Sequence, residues 1–174
     1  MVNILILYST TDGHTVEICR RLQQVIEQHG DQVTLASITD EPTPDLNAFD
    51  RIVIGASIRY GKHHSRVLAF IKQNQTALEN KPNAFFSVNV VARKPEKNRP
   101  ETNPYMQKFL RKISWKPQRL AVFAGKLDYP RCGFFDRAAI RFIMWITKGP
   151  TDPKAVVEFT DWKEVERFGI SLCG

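Results

Sequence analysis

The spacing of apolar positions changes period several times along this chain. Residues 2–8 (VNILILY) are a near-continuous apolar run, which predicts a strand covered on both faces. Residues 13–29 switch to helical spacing. Val16, Leu22, Val25 and Ile26 share one side, Glu17, Arg20 and Gln24 face elsewhere, and Gly30 is placed to stop the helix. Residues 32–38 alternate as a shorter strand. Residues 40–49 hold two prolines and predict a loop with one helical turn at most. Residues 50–55 (DRIVIG) predict a second buried strand that ends at glycine. Residues 65–78 predict a helix with Val67, Leu68, Phe70 and Ile71 toward the core. Strands follow over 83–92 and 119–125, and a helix over 160–172 closes the pattern.

Strands that alternate with helices imply an α/β fold with a parallel, right-handed, doubly wound sheet. Five strands predict the order 2-1-3-4-5, numbering these predicted strands in sequence. Ligands of such sheets bind beyond the carboxyl ends of the strands at the switch point, here between strands 1 and 3. The informative loops are therefore those after Tyr8, Gly55 and Val91. No internal repeat or low-complexity segment interrupts the pattern, so residues 1–174 are expected to form one domain. Two segments exceed the minimal pattern: 93–117, a basic, proline-punctuated loop with a short helix near 105–113, and 126–157, which follows the last strand.

The chain is 43% hydrophobic, enough to fill a core. Its net charge is +7, but residues 93–148 carry 14 Lys and Arg against 4 Asp and Glu, and the remainder is net −3. The basicity is local. It is either a solvated face or an attractive surface for an anionic partner. A nucleic-acid partner is disfavoured, because aromatics are few before Tyr129 and no nucleic-acid motif occurs. Cys19, Cys132 and Cys173 have no CxxC spacing, which predicts reduced thiols and no metal site. The N-terminal run lacks a signal-peptide pattern, and no apolar stretch reaches the roughly 20 residues of a bilayer span. A cytoplasmic location is expected.

After strand 1 comes Tyr8-Ser9-Thr10-Thr11-Asp12-Gly13-His14-Thr15. Hydroxyls at Ser9, Thr10, Thr11 and Thr15 can donate to phosphate oxygens, Gly13 permits tight turning, and the next helix points its partly positive N-terminus at the ligand. A hydroxyl-rich turn also serves as a plain helix cap, so the loop alone leaves both readings open. It has no GxxxxGK[ST], which argues against a nucleoside-triphosphatase, and no GxGxxG, which argues against a dinucleotide fold.

Ile6-Leu7-Tyr8-Ser9-Thr10-Thr11-Asp12-Gly13-His14-Thr15 resembles the flavodoxin signature along its whole length. The resemblance implies a flavodoxin-like fold with FMN as cofactor, its phosphate held by Ser9, Thr10, Thr11, Asp12, Gly13, His14 and Thr15. Gly55-Ala56-Ser57-Ile58-Arg59-Tyr60-Gly61 resembles the segment against the isoalloxazine ring. Ser87-Val88-Asn89-Val90-Val91-Ala92 resembles the start of the other ring-contacting loop. VIGASIRYG, FFSVNVVARKPEKNRPETNPY, YPRCGFFDRAAIRFIM and TDW look like the bacterial quinone-dependent protoporphyrinogen oxidase family, over residues 2–170 or so. That resemblance implies oxidation of protoporphyrinogen IX to protoporphyrin IX in haem biosynthesis, with electrons passing through FMN to ubiquinone or menaquinone.

Two features bear on that chemistry. Arg59, Arg93, Lys94, Lys97 and Arg99 are candidates to pair with substrate propionates, though each alone is also an ordinary surface charge. Residues 136–148 (DRAAIRFIMWITK) form an unusually apolar helix on whose wheel Arg137, Arg141 and Lys148 fall at about 0°, 40° and 20°. Phe134, Phe135, Phe142 and Trp145 are candidates to face an anionic bilayer surface, which would place the protein peripherally on the inner membrane; an internal core or protein contact is the other reading. No catalytic residue stands out. His63 and His64 are weak candidates for a proton acceptor, and Tyr60 either covers the flavin or packs as a loop aromatic. The rival functions are an electron-transfer flavodoxin and an NAD(P)H:quinone oxidoreductase.

Overall fold

The computed structural model describes residues 1–10, 13–59, 61–128, 133–146, 148–152, 154 and 156–174. Its centre is a parallel sheet. The strands are β1 (Asn3–Ser9), β2 (Gln32–Ser37), β3 (Arg51–Arg59), β5 (Asn83–Asn89) and β6 (Arg119–Ala124), in the order β2-β1-β3-β5-β6. That is the expected doubly wound order. The numbering differs only because a two-residue strand, β4 (Lys62–His63), folds back antiparallel on the end of β3. The fold is flavodoxin-like.

The two sides of β1 explain its unbroken apolar run. Leu5 and Leu7 join one core with Ile52, Ile54 and Phe85, while Ile4 and Ile6 join the other with Val53, Ala84 and Phe86. Ile4, Leu5, Ile6 and Leu7 are fully buried, worth about 2 kcal/mol each. Helices α1 (His14–Gln28) and α6 (Trp162–Ser171) cover the second face through Ile18, Leu22, Ile26, Val165 and Phe168. Helices α2 (Ser65–Gln73), α3 (Gln75–Glu79) and α4 (Pro104–Leu110) cover the first through Val67, Phe70, Ile71, Leu78, Met106 and Phe109. Gly55 in β3 faces the ring of Phe86; a Cβ there would lie 2.1 Å from Cζ, so only glycine fits.

Several elements depart from the pattern-based expectation. The helix expected over 65–78 breaks at Asn74, whose backbone and side-chain N–H groups both donate to the Phe70 carbonyl. The strand expected to reach residue 92 ends at Asn89 and turns into a 3-10 helix, Val90–Arg93, capped by the Asn89 side chain. β3 continues past Gly55 to Arg59 because β4 supplies a partner there. The 126–157 segment contributes β7 (Lys126–Asp128) and α5 (Phe134–Ile146), and β8 (Val156–Glu158) pairs antiparallel with β7. Lys148 lies beyond α5 at φ 57, so the cationic edge of that helix holds Arg137 and Arg141 but not Lys148. No described helix is long and apolar enough to cross a membrane.

Candidate functional site

The carboxyl ends of β1, β3 and β5 open into one cleft. It is lined by Thr10, His14 and Thr15 from the first loop, Ser57, Ile58, Arg59 and Gly61 from the second, and Val88, Asn89, Val90 and Val91 from the third. The three loops singled out by sequence thus meet at one place. Within them, Ala56, Ser87 and Ala92 are buried away from the cleft, and Ser9 is nearly so. Thr11, Asp12 and Tyr60 lie outside the described residues.

At the base, Gly13 adopts φ 85 and its N–H donates to Thr10 Oγ1 at 3.0 Å. The N-cap residue of α1 is this glycine, which has no side chain to cap the helix, and His14 and Thr15 of the first turn line the cleft. Thr15 Oγ1 has no hydrogen-bond partner although Thr15 is only 1% exposed. Among described residues the one other such buried atom is Trp115 Nε1, which lines neither cleft. A helix N-terminus at the cleft, a left-handed glycine and a buried hydroxyl with no partner among the described residues fit a phosphate.

His14 fixes the loop. Thr160 donates its hydroxyl proton to the Ala124 carbonyl at 2.7 Å, so its oxygen accepts from His14 Nε2–H at 2.6 Å. His14 Nδ1 meets Glu17 Oε2 at 3.0 Å. The start of α1 is thereby tied to the end of β6 and the approach to α6.

The far wall is built from segments no local motif announced: Tyr105 of α4, Gly125, Lys126 and Leu127 of β7, and Ala139, Ile140, Ile143 and Met144 of α5. Helix α5 lines the cleft with those four residues, of which Met144 is buried and Ile143 stays 49% exposed. Its other side leaves Phe142, Trp145 and Ile146 exposed, at 61%, 71% and 59%. Nothing is described for the side chains of Phe134 and Phe135.

Of the five basic candidates, Arg59 and Arg93 line the cleft, and Lys94, Lys97 and Arg99 do not. Arg93 donates to the Val90 carbonyl at 3.2 Å and lies 5.8 Å from the Phe159 ring centroid. The loop carrying the other three is pinned by Asn103, whose Nδ2 donates to the Lys97 carbonyl at 2.9 Å.

The two histidines have separate roles. His64 accepts from the Arg66 backbone N–H at 3.1 Å and caps α2. His63 is buried, 2.8 Å from Ser87 Oγ through Nε2, with its ring edge-on to Phe85 and Phe109. Burial, reinforced by the charge of Lys112, pushes its imidazole down to about 4.

A family model described as flavodoxin domain matches residues 5–154. A protoporphyrinogen IX dehydrogenase (quinone) from Escherichia coli K12 is 47% identical over 164 residues, covering 94% of this chain and 91% of that one. The protein of the same name from Leishmania major is 44% identical over 165 residues, covering 94% and 71%. Oxidised flavodoxin 1 from Bacillus cereus superposes with a TM-score of 0.54 at 15% identity, covering 97% of this chain and 95% of that one. An archaeal flavodoxin does so with a TM-score of 0.51 at 16% identity, covering 98% and 95%. Identities that low speak to fold alone, whereas both dehydrogenases match in sequence over 94% of this chain. The chain therefore belongs to the flavodoxin-domain family, within the group of quinone-linked protoporphyrinogen IX dehydrogenases.

Proposed function

We propose that this protein binds FMN and oxidises protoporphyrinogen IX to protoporphyrin IX, delivering the electrons to ubiquinone or menaquinone at the cytoplasmic face of a bacterial inner membrane. One observation carries this reading. The same cleft has a phosphate-shaped end, with the partnerless Thr15 hydroxyl and the open N-terminus of α1, and an apolar wall on α5, whose outer side is an exposed apolar face.

Thr10 and Thr15 would hold the phosphate, with Gly13 giving the turn between them, and Ser57, Ile58, Arg59, Gly61 and residues 88–91 would flank the ring system. FMN, when bound, supplies the redox chemistry. Ile140, Ile143 and Met144 give the cleft an apolar wall for a lipophilic substrate to lie against. Arg59 and Arg93 set a positive potential at the same cleft, suited to an anionic ligand. A quinone acceptor resides in lipid, and Phe142, Trp145 and Ile146 give α5 a face that fits the bilayer interface. That arrangement favours an enzyme over a freely diffusing carrier.

The test is a purified protein assayed with protoporphyrinogen, with and without quinone. A flavin spectrum and quinone-dependent porphyrin formation are expected. A protein that takes up no FMN, or a flavin-loaded one that leaves protoporphyrinogen unoxidised, would overturn the proposal. Rapid bleaching by NADPH in place of porphyrinogen oxidation would assign it to the NAD(P)H:quinone oxidoreductases.

A further inference from the structure

A second cleft adjoins the first and shares Ile58, Gly61 and Tyr105 with it. Its floor is apolar, formed by Leu68 of α2 and Phe109 of α4, and His63 lies at its side. Around it stand Lys62, Lys108 and Lys112, all exposed. None of the three ammonium groups has an ion-pair or hydrogen-bond partner among the described residues, and no Asp or Glu lines this cleft. Three like charges facing one hollow repel each other, a cost that an anionic occupant removes.

The hydrogen-bond order inside the fold fixes what His63 shows to that hollow. The Ala92 backbone N–H donates to Asn89 Oδ1 at 3.1 Å, so the Asn89 amide nitrogen must be the atom 3.2 Å from Ser87 Oγ. Ser87 Oγ accepts that bond. Its own proton has one acceptor in range, His63 Nε2 at 2.8 Å. The imidazole proton is therefore on Nδ1, which makes no bond among the described residues. A neutral ring with an outward N–H is a donor, and its burial keeps it in that form at neutral pH.

We propose that the second cleft is a carboxylate subsite: the apolar body of the substrate lies in the first cleft, and its carboxylate edge crosses Ile58, Gly61 and Tyr105 to meet Lys62, Lys108, Lys112 and the His63 Nδ1–H. The inference rests on the porphyrinogen reading above and adds residues 62, 63, 108 and 112 to it. A neutral quinone head group has no use for three lysines, whereas a lipophilic diacid uses both clefts at once.

The test uses the FMN-loaded protein with Lys62, Lys108 and Lys112 all changed to Gln. Porphyrinogen turnover is expected to show KM raised about tenfold, with kcat within about twofold. Wild type is expected to bind protoporphyrin IX about tenfold tighter than its dimethyl ester, and the triple variant to lose that preference. A charge-matched control on the opposite helical layer, Arg20→Gln with Lys163→Gln and Arg167→Gln, should leave KM unchanged, which separates a local site from net charge. Unchanged KM and an unchanged acid-over-ester preference in the lysine variant would overturn the subsite while leaving the activity standing. A wild-type protein that neither binds the porphyrin nor oxidises the porphyrinogen would remove the activity and the subsite with it.

Discussion

Asn89 and Asn103 hold each other by both ends of their amides: Asn103 Nδ2 donates to Asn89 Oδ1 at 3.0 Å, and Asn89 Nδ2 donates to Asn103 Oδ1 at 3.3 Å. Both residues are buried, and the pair locks the 93–103 loop to the end of β5. Asn103 also caps α4 by accepting from the Tyr105 and Met106 N–H groups. Asn103→Ala should therefore lower unfolding free energy by about 3 kcal/mol, combining a lost cap with an unpaired buried amide. Asn103→Asp keeps the cap but sets a carboxylate oxygen against the Lys97 and Asn89 oxygens, and should be comparably destabilising. Urea denaturation of both variants checks this; a stable Asn103→Asp protein would refute the amide orientation.

Thr15→Val should separate stability from cofactor binding. The hydroxyl has no protein partner, so deleting it leaves the cofactor-free fold as stable or slightly more stable. FMN affinity should fall about tenfold as one phosphate donor disappears. Thermal unfolding of the FMN-free protein and titration of flavin fluorescence read the two effects independently.

His63 makes stability depend on pH in a defined window. Its imidazole titrates near 4 in the fold and near 6.5 when unfolded, so the unfolded chain binds the extra proton. Stability from this group is complete above about pH 6.5, falls as pH drops toward 4, and is then lower by roughly 3 kcal/mol. The charged residues that line the cleft beside His63 are Lys62, Lys108 and Lys112. His63→Gln should flatten the stability profile between pH 4 and 6.5, measured by urea midpoints across that range.

Replacing Phe142 and Trp145 with Glu should leave the fold intact, because both side chains are largely exposed. Co-sedimentation with vesicles of mixed zwitterionic and anionic lipids should drop to background. Retained binding in the folded double variant would rule out α5 as the docking face.

The long periodic segments were readable from sequence. β1 and α1 stand within a residue or two of their predicted bounds, and the three loops singled out by sequence fall at the strand ends where alternating strands and helices put them. Local chemistry defeated the pattern elsewhere. Asn74 interrupts a continuous apolar spacing by bonding back to Phe70, and β7 and β8 are too short to carry a period. The apolar run of α5 hid a division of labour: Met144 is buried against the cleft while Trp145, its neighbour, points out. The second cleft was invisible because Lys62 of β4 meets Lys108 and Lys112, at the end of α4, only in the fold, and the three carry no motif. Of the first cleft, the loops were legible, but the wall from Tyr105, Leu127 and Ile140 exists only once α4, β7 and α5 are placed.

Helix α5 is one rod of 13 residues with two unlike sides. Whatever presses on Ile140 and Met144 from within and whatever grips Trp145 from without act on the same body. Occupancy of the two sides is then thermodynamically reciprocal: if attachment at the outer side tightens a ligand in the cleft, that ligand strengthens the attachment by the same factor.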